Sequence, residues 1–203
     1  MLGVTRMSST KSPMSERIER AALPLFARKG FEGTSLSKIA KSVGIKKPSL
    51  YAHFASKEDL FFAILQKVNR DYRDFLELQV QQYRDMPTER QLYSLLKDHT
   101  TYLENEDLGL LFKRFMLFPP LVLKDTFNEQ FIKSEEALTN VLMDVVKEGK
   151  RRGDIQADPD EVIDAYICLL DGTFEQLFYY SEVEHDERLQ NAWRIFWRGI
   201  QGC

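Results

Sequence analysis

The sequence lacks the features that mark membrane and secreted proteins. No apolar run reaches the roughly 18 residues that a membrane-spanning helix needs. The first 13 residues contain no apolar stretch of the kind found in a secretory signal. Only two cysteines occur, Cys168 and Cys203, and they do not have CxxC spacing. We therefore expect a cytoplasmic protein with reduced thiols.

Motifs of catalysis and metal binding are also scarce. The three histidines, His53, His99 and His185, have no HExxH pattern or i,i+4 partner, and no GxSxG, P-loop or GxGxxG stretch occurs. His99 follows Asp98, a pair that would suit a general base, but we interpret His99 as a surface histidine on a helix. An enzyme is therefore not favoured, and neither a metal site nor a cofactor is predicted.

Charge is unevenly distributed along the chain of 203 residues, whose net charge is −3. Residues 1–60 hold 11 Lys and Arg against 5 Asp and Glu, whereas residues 61–203 hold 17 against 26. A basic segment on an acidic protein suggests contact with a polyanion. A chance fluctuation on a solvated surface explains the same numbers equally well, so charge alone leaves both interpretations open.

Apolar residues recur at helical spacing along the whole chain, and no strand-like alternation bounded by hairpin turns appears. The pattern predicts an all-α protein of about nine helices. Ser15 is the predicted cap of the first helix, and Ser56 and Asp59 form a capping-box pattern at the fourth. The predicted helices cover residues 16–29, 35–42, 47–54, 57–82, 88–105, 106–118, 125–152, 159–181 and 186–201.

Residues 34–54 have the dimensions of a helix-turn-helix, with Gly44 at the turn. On the second helix of this unit, Leu50 and Phe54 lie about 40° apart around the axis, so we expect both to face the core. The opposite side carries small residues flanked by two aromatic ones: Pro48, Ser49 and Ala52, with Tyr51 and His53 on the flanks.

This arrangement suits the major groove of DNA. Small side chains let a helix approach base edges, and Pro48 and Ala52 can touch thymine methyl groups. Tyr51 and His53 can reach the two phosphate backbones that border the groove. The alternative is that both are half-buried surface aromatics. The basic charge of residues 1–60 and the capped neighbouring helices favour the DNA interpretation.

The stretch GFEGTSLSKIAKSVGIKKPSLYAHFASKEDLFFAIL resembles the DNA-binding domain of the TetR family of bacterial transcriptional regulators. The similarity covers about residues 15–65 and includes ALPLFARKGFEGTSLSKIA, the turn SVGI, the recognition-helix core SLYAHF and the following SKEDL. The resemblance implies an all-helical homodimer. We expect a flexible arm over residues 1–14, a helix-turn-helix domain over 15–60, and a ligand-binding and dimerisation domain over 61–203.

By position, the resemblance implies contacts with bases or phosphates from three helices. The implied contacts are Ser35 and Ser37 on the second helix, Lys46, Lys47, Pro48, Ser49, Tyr51 and His53 on or beside the third, and Lys57 at the start of the fourth. Two features depart from the family pattern. Lys46-Lys47-Pro48 replaces the usual small residues and glycine, so the operator cannot be taken from a relative, and Pro24 lies within the first helix.

Bulky aromatic residues are dense in the C-terminal part of the chain. Such stripes are usually core, but an aromatic-lined bundle interior is also the usual setting of an apolar pocket. The resemblance implies that a hydrophobic small-molecule effector binds there. The predicted pocket residues are Phe112, Phe115, Met116, Phe131 and Phe174.

The last two predicted helices carry broad apolar faces, and the resemblance implies that they form an isologous contact between two copies. The predicted contact residues are Ile167, Leu170, Phe174, Phe178, Trp193, Phe196 and Trp197. The alternative is packing within one chain only.

These observations together predict a ligand-responsive transcriptional regulator. In the family the commonest mode is repression, with release from a palindromic operator when a small molecule binds. The alternative is a helical module that binds a small molecule or a partner without acting through DNA.

Overall fold

The computed structural model describes residues 12–104 and 106–202, except the side chains of Glu106, Met116, Leu117, Gln130 and Ser134. Within these ranges the regular structure is helical, as predicted. No helix in them is both long and apolar enough to pass through a lipid bilayer. The α-helices are α1 (Pro13–Lys29), α2 (Leu36–Val43), α3 (Lys47–Tyr51), α4 (Lys57–Tyr83), α5 (Thr88–Leu103), α6 (Glu106–Leu117), α7 (Lys124–Arg152), α8 (Pro159–Gln176) and α9 (Glu182–Gln201).

The chain divides into two compact units, residues 1–64 and 65–203. The first unit packs α1, α2, α3 and the start of α4 around a small core. Phe26, Phe31 and Phe61 form its aromatic centre, with ring centroids 5.1–6.0 Å apart. Ile39 and Leu50 are also fully buried. Burying a side chain of this size stabilises a fold by about 1.5–3 kcal/mol, so this centre holds the three short elements together.

Helix α1 begins three residues before the predicted start. Ser12, not Ser15, is its cap, because the Ser15 N–H donates to the Ser12 Oγ at 3.2 Å. Pro13 follows at the first helical position, where a missing N–H costs nothing. Pro24 lies inside the helix, which continues to Lys29. Residues 12–14 of the predicted arm therefore belong to the start of α1, and residues 1–11 lie outside the described part.

The turn between α2 and α3 depends on Gly44. Its φ of 77° and ψ of 28° are left-handed, a conformation that glycine adopts without a steric penalty. The Ile45 N–H then donates to the Ala40 carbonyl at 3.0 Å, which closes the end of α2. This turn sets the direction in which α3 leaves α2.

The second unit packs α5, α7, α8, α9 and the later part of α4 around the larger core. Tyr166 is fully buried there, and its O–H donates to the Leu92 carbonyl at 2.9 Å. Four of the predicted dimer-contact residues also lie in the core of the single chain: Leu170, Phe174, Trp193 and Trp197. The broad apolar stripes of α8 and α9 face their own chain, so these four side chains leave little surface for a second copy.

The connection between α8 and α9 lies earlier than predicted. Helix α8 ends at Gln176, and the next N–H group, that of Leu177, donates to the Phe174 carbonyl three residues earlier. Ser181 then caps α9 in a capping box with Glu184. The predicted helices 159–181 and 186–201 missed this pattern, although Ser-x-x-Glu is visible in the sequence.

Candidate nucleic-acid interface and ligand cavity

Helix α3 has the predicted inner and outer faces. Leu50 is 0% exposed and Phe54 is 5% exposed, whereas Tyr51 is 47% exposed. Lys47, Pro48, Ser49 and Ala52 are exposed too. The helix itself ends at Tyr51, three residues before the predicted end, but the His53 and Phe54 N–H groups still donate to the Leu50 carbonyl at 2.9 and 3.1 Å. The outward face is therefore small and flat at Pro48 and Ser49 and bulky at Tyr51.

Exposed lysines occur on and beside α3 and on α2. Lys46, the residue before α3, and Lys47 are exposed. The Lys47 Nζ lies 5.6 Å from the centre of the Tyr51 ring. Lys38 and Lys41 on α2 are also exposed. Positive charge next to small side chains is the combination that a phosphate-lined groove attracts.

Internal hydrogen bonds orient His53, one of the predicted phosphate contacts. Its Nδ1 lies 3.2 Å from the Ser15 Oγ and 3.4 Å from the Ser12 Oγ. These contacts tie the turn after α3 to the first turn of α1. His53 is half-buried, so it combines a structural role with a place at the edge of the outward face.

Lys57 differs from the expectation of a lysine that reaches freely into solvent. Its Nζ donates to the Phe31 carbonyl at 2.9 Å and lies 4.0 Å from the centre of the Phe31 ring. Next to it, the start of α4 is capped as the sequence predicted, since the Asp59 N–H donates to the Ser56 Oγ at 3.1 Å. Lys57 therefore holds the α1–α2 connection against the start of α4.

The two predicted serines of α2 have different surroundings. The Ser35 Oγ accepts from the Lys38 N–H at 3.3 Å and caps the helix. Ser37, in the first turn, is exposed and faces solvent. Ser35 thus has a structural role whether or not it also touches a ligand.

An apolar cavity lies inside the second unit. The volume of the cavity is about 90 Å³. Four of the predicted pocket residues line this narrow cavity: Phe112, Phe115, Phe131 and Phe174. The side chain of the fifth, Met116, lies outside the described part.

Polar residues that sequence reasoning missed line the same cavity: Asn69, Tyr72, His99, Glu135 and Asp171. The interpretation of His99 as a surface histidine is wrong, because the side chain is only 6% exposed. The signal was available: residue 99 continues the buried stripe of Leu92, Leu95, Leu96 and Leu103 at helical spacing. Burial lowers the pKa of His99 to about 3, so the ring is neutral near pH 7. Its Nδ1 is hydrogen-bonded to the Tyr72 hydroxyl.

Comparison with known proteins agrees with the geometry of the first unit. The family profile "Bacterial regulatory proteins, tetR family" matches residues 18–64. The negative transcriptional regulator IcaR of the biofilm operon icaADBC in Staphylococcus epidermidis is 41% identical over 63 residues, which are 31% of this chain and 34% of IcaR. That match spans about a third of the relative's length.

Solved structures show the same fold over nearly the whole chain. A TetR transcription regulator from Haloarcula marismortui has a TM-score of 0.77 at 19% identity, covering 92% of this chain and 97% of the other. FadR from Bacillus subtilis, solved with stearoyl-CoA, has a TM-score of 0.73 at 18% identity, covering 91% and 98%. At such identities the likeness concerns the fold. Residues 18–64 therefore match the tetR family of bacterial regulatory proteins, and the chain shares the helical fold of the solved structures.

Proposed function

We propose that this protein is a ligand-responsive transcriptional regulator that binds a two-fold DNA operator as a homodimer, in the cytoplasm. The observation that carries the proposal is the outward face of α3. Lys47, Pro48, Ser49 and Tyr51 point away from a core that Leu50 anchors, beside the exposed Lys46. A rigid helix that presents small and basic side chains together is the form that enters a major groove.

In this proposal α3 lies in the major groove, and some of the side chains on and around it contact bases while others contact phosphates. Pro48 and Ser49 approach the base edges, whereas Lys46, Lys47 and Tyr51 contact phosphates. His53 reaches a phosphate from the edge while its Nδ1 stays with Ser15. Ser35, Ser37 and Lys57 contribute from the neighbouring helix ends. Two copies of α3 must then lie about 34–36 Å apart, or a multiple of this, to read both half-sites.

Repression is the proposed mode, since the IcaR relative is a negative regulator. In the proposed mechanism a hydrophobic small molecule binds in the cavity of the second unit and releases the DNA. The support is the cavity itself, together with a structure of the same fold, FadR, that was solved in complex with stearoyl-CoA. Helix α4 is continuous from Lys57 to Tyr83. Its residues Leu65, Asn69 and Tyr72 line the cavity, so a ligand there acts directly on the helix that leads to the DNA-binding unit. A coupling of about 1–3 kcal/mol is typical of such regulation.

The first test is to select bound duplexes from a random pool with the full-length protein, and then to measure affinity at several salt concentrations. Contacts with six to ten phosphates predict a loss of about 10³–10⁵ in affinity between 50 and 200 mM salt. A module that does not act through DNA would enrich no sequence and would show no such slope.

Substitutions on α3 test the assignment of the face. Lys47→Ala is expected to reduce the slope of log affinity against log salt by about 1, as the loss of one phosphate contact should. Tyr51→Ala should weaken DNA binding without destabilising the fold, because the Tyr51 side chain is exposed. Lys147→Ala, on an exposed position of α7, is the matched control and should change neither. If Tyr51→Ala and His53→Ala both bound the selected duplex like the wild type, α3 would not be the reading helix.

A further inference from the structure

The charged residues that line the apolar cavity are both acidic. Of its lining residues, Glu135 and Asp171 are carboxylates, and none is a lysine or an arginine. Both carboxylates are exposed, which places them where the cavity opens to solvent. Within the described residues neither has a hydrogen bond or an ion pair. Partial loss of solvent at the cavity wall, and then the nearby charge of Glu135, raise the pKa of Asp171, as expected when no cation compensates the two.

A second observation concerns the buried end of this polar cluster. His99 lines the cavity, and its Nε2 is buried without a hydrogen-bond partner in the described part of the chain. Leaving a buried polar atom unpaired is unfavourable, because the atom has lost its hydrogen bond with water. The Tyr72 hydroxyl already occupies the Nδ1. A ligand that brought a hydrogen-bonding group to the Nε2 would give this atom the partner that it lacks.

A neighbouring groove shows where an anionic head would have to go. It shares Asn69, Tyr72 and Leu138 with the cavity and carries Arg70, Arg73 and Lys133. Two of these cations already have partners, because Arg73 lies 3.9 Å from Glu77 and Lys133 lies 2.5 Å from Glu129. The free charge next to the cavity is therefore predominantly negative.

We propose that the cavity binds a slender hydrophobic amine, with its protonated head between Asp171 and Glu135 and an N–H directed at the His99 Nε2. The apolar chain lies among Leu111, Phe112, Phe115 and Phe131. Accepting this hydrogen bond requires the His99 proton on Nδ1, which then donates to the Tyr72 oxygen. The inference rests on the proposed function, since it identifies the chemical class of the effector of the same regulator.

The test compares three probes of equal chain length: decylamine, decan-1-ol and decanoate, each below its micellar concentration. Their binding to the full-length protein is measured by calorimetry at pH 7. Decylamine should bind at least about 10-fold more tightly than decanoate, a ratio that corresponds to about 1.4 kcal/mol. It should also bind more tightly than decan-1-ol, which isolates the contribution of the charge.

Variants then locate the charge effect. The double substitution Glu135→Gln and Asp171→Asn should bring the ratio of decylamine to decan-1-ol affinity close to 1 and leave decan-1-ol binding unchanged. The control is the pair Glu136→Gln and Asp164→Asn, which neutralises exposed carboxylates on the same two helices outside the cavity and should keep the preference for the amine.

The outcomes separate this inference from the proposed function. Equal binding of the three probes, or tighter binding of decanoate through the Arg70 groove, would overturn the assignment of an amine and leave a ligand-responsive regulator intact. Binding of no probe would overturn the cavity as the effector site. Failure to select any DNA duplex would instead count against the regulator itself, whatever the probes do.

Discussion

His99 is a basic side chain that is buried in the folded protein. Its burial should make the free energy of unfolding depend on pH. Its pKa is about 3 in the folded protein and near 6.5 in an accessible chain. Between these values the unfolded chain binds one more proton than the folded protein. The free energy of unfolding should therefore be highest above pH 6.5 and fall as the pH decreases, by up to about 1.4 kcal/mol per pH unit from this residue.

Urea unfolding at pH 7, 6 and 5 checks this prediction when the wild type is compared with His99→Gln. Glutamine keeps a polar partner for the Tyr72 hydroxyl but does not titrate. Carboxylates contribute equally to both proteins, so the difference between their pH slopes isolates the histidine. The variant should lose less stability on acidification; parallel curves for the two proteins would show that His99 titrates normally.

Single residues of α3 were predictable because burial on a short helix follows from spacing alone. Leu50 and Phe54 had to face the core, and the structure confirms that they do. The partners of Lys57 and His53 were not predictable in the same way. The Phe31 carbonyl and the Ser15 hydroxyl are distant in sequence, and only tertiary packing brings them within reach.

At the scale of elements, the cap of α2 lets two roles of Ser35 be separated. Its hydroxyl accepts from the Lys38 N–H, so Ser35→Ala should lower the free energy of unfolding by about 1 kcal/mol. Ser35→Asp keeps a capping oxygen but adds a negative charge where α2 is proposed to face phosphate. We expect Ser35→Asp to retain wild-type thermal stability and to lower operator affinity by about 10-fold, or about 1.4 kcal/mol.

Ser35→Asn is the matched control, because asparagine caps as well as aspartate without the charge. It should resemble the wild type in both thermal unfolding and affinity for the selected duplex. If Ser35→Asp bound DNA as tightly as Ser35→Asn, the start of α2 would not lie near phosphate.

The spacing of apolar residues predicted that the helices exist, but it did not predict where several of them begin or end. Two serines compete at the start of α1, and Ser12 caps it because Pro13 fits the first helical position. Tight i→i+3 bonds stop α8 at Gln176 although the apolar stripe continues through Leu177 and Phe178. An apolar stripe indicates which side of a helix is buried, but it does not indicate at which residue the helix ends.

At the scale of the whole molecule, the cavity combines residues that no local pattern connects. The aromatic residues were expected because they are dense in the sequence. Glu135 and Asp171 could not be singled out, since they belong to different helices and resemble the other surface carboxylates until α7 and α8 are packed. The chemistry of the cavity is therefore a property of the tertiary structure, and its aromatic character is a property of the composition.

The proposed homodimer needs a surface through which two copies can meet. Because Trp193 and Trp197 lie in the core of their own chain, we expect the proposed dimer contact to use the outward sides of α8 and α9. Ile195 is 69% exposed there. Small exposed residues on both helices would allow close approach: Ala165, Cys168, Ala192 and Gly199.

Ile195→Glu should therefore produce monomers in sedimentation or light-scattering measurements, since a buried pair of like charges across a two-fold axis is unfavourable. The affinity of this variant for a palindromic duplex should also fall, because its two DNA-binding units are no longer joined in one molecule. Val183→Glu is the control: Val183 is 70% exposed in the first turn of α9 and lies about 120° around the helix from Ile195. If the Ile195→Glu protein stayed dimeric and still bound the palindrome, the contact would lie on another face. If it were monomeric and bound the palindrome with unchanged affinity, the proposed function would not need a dimer.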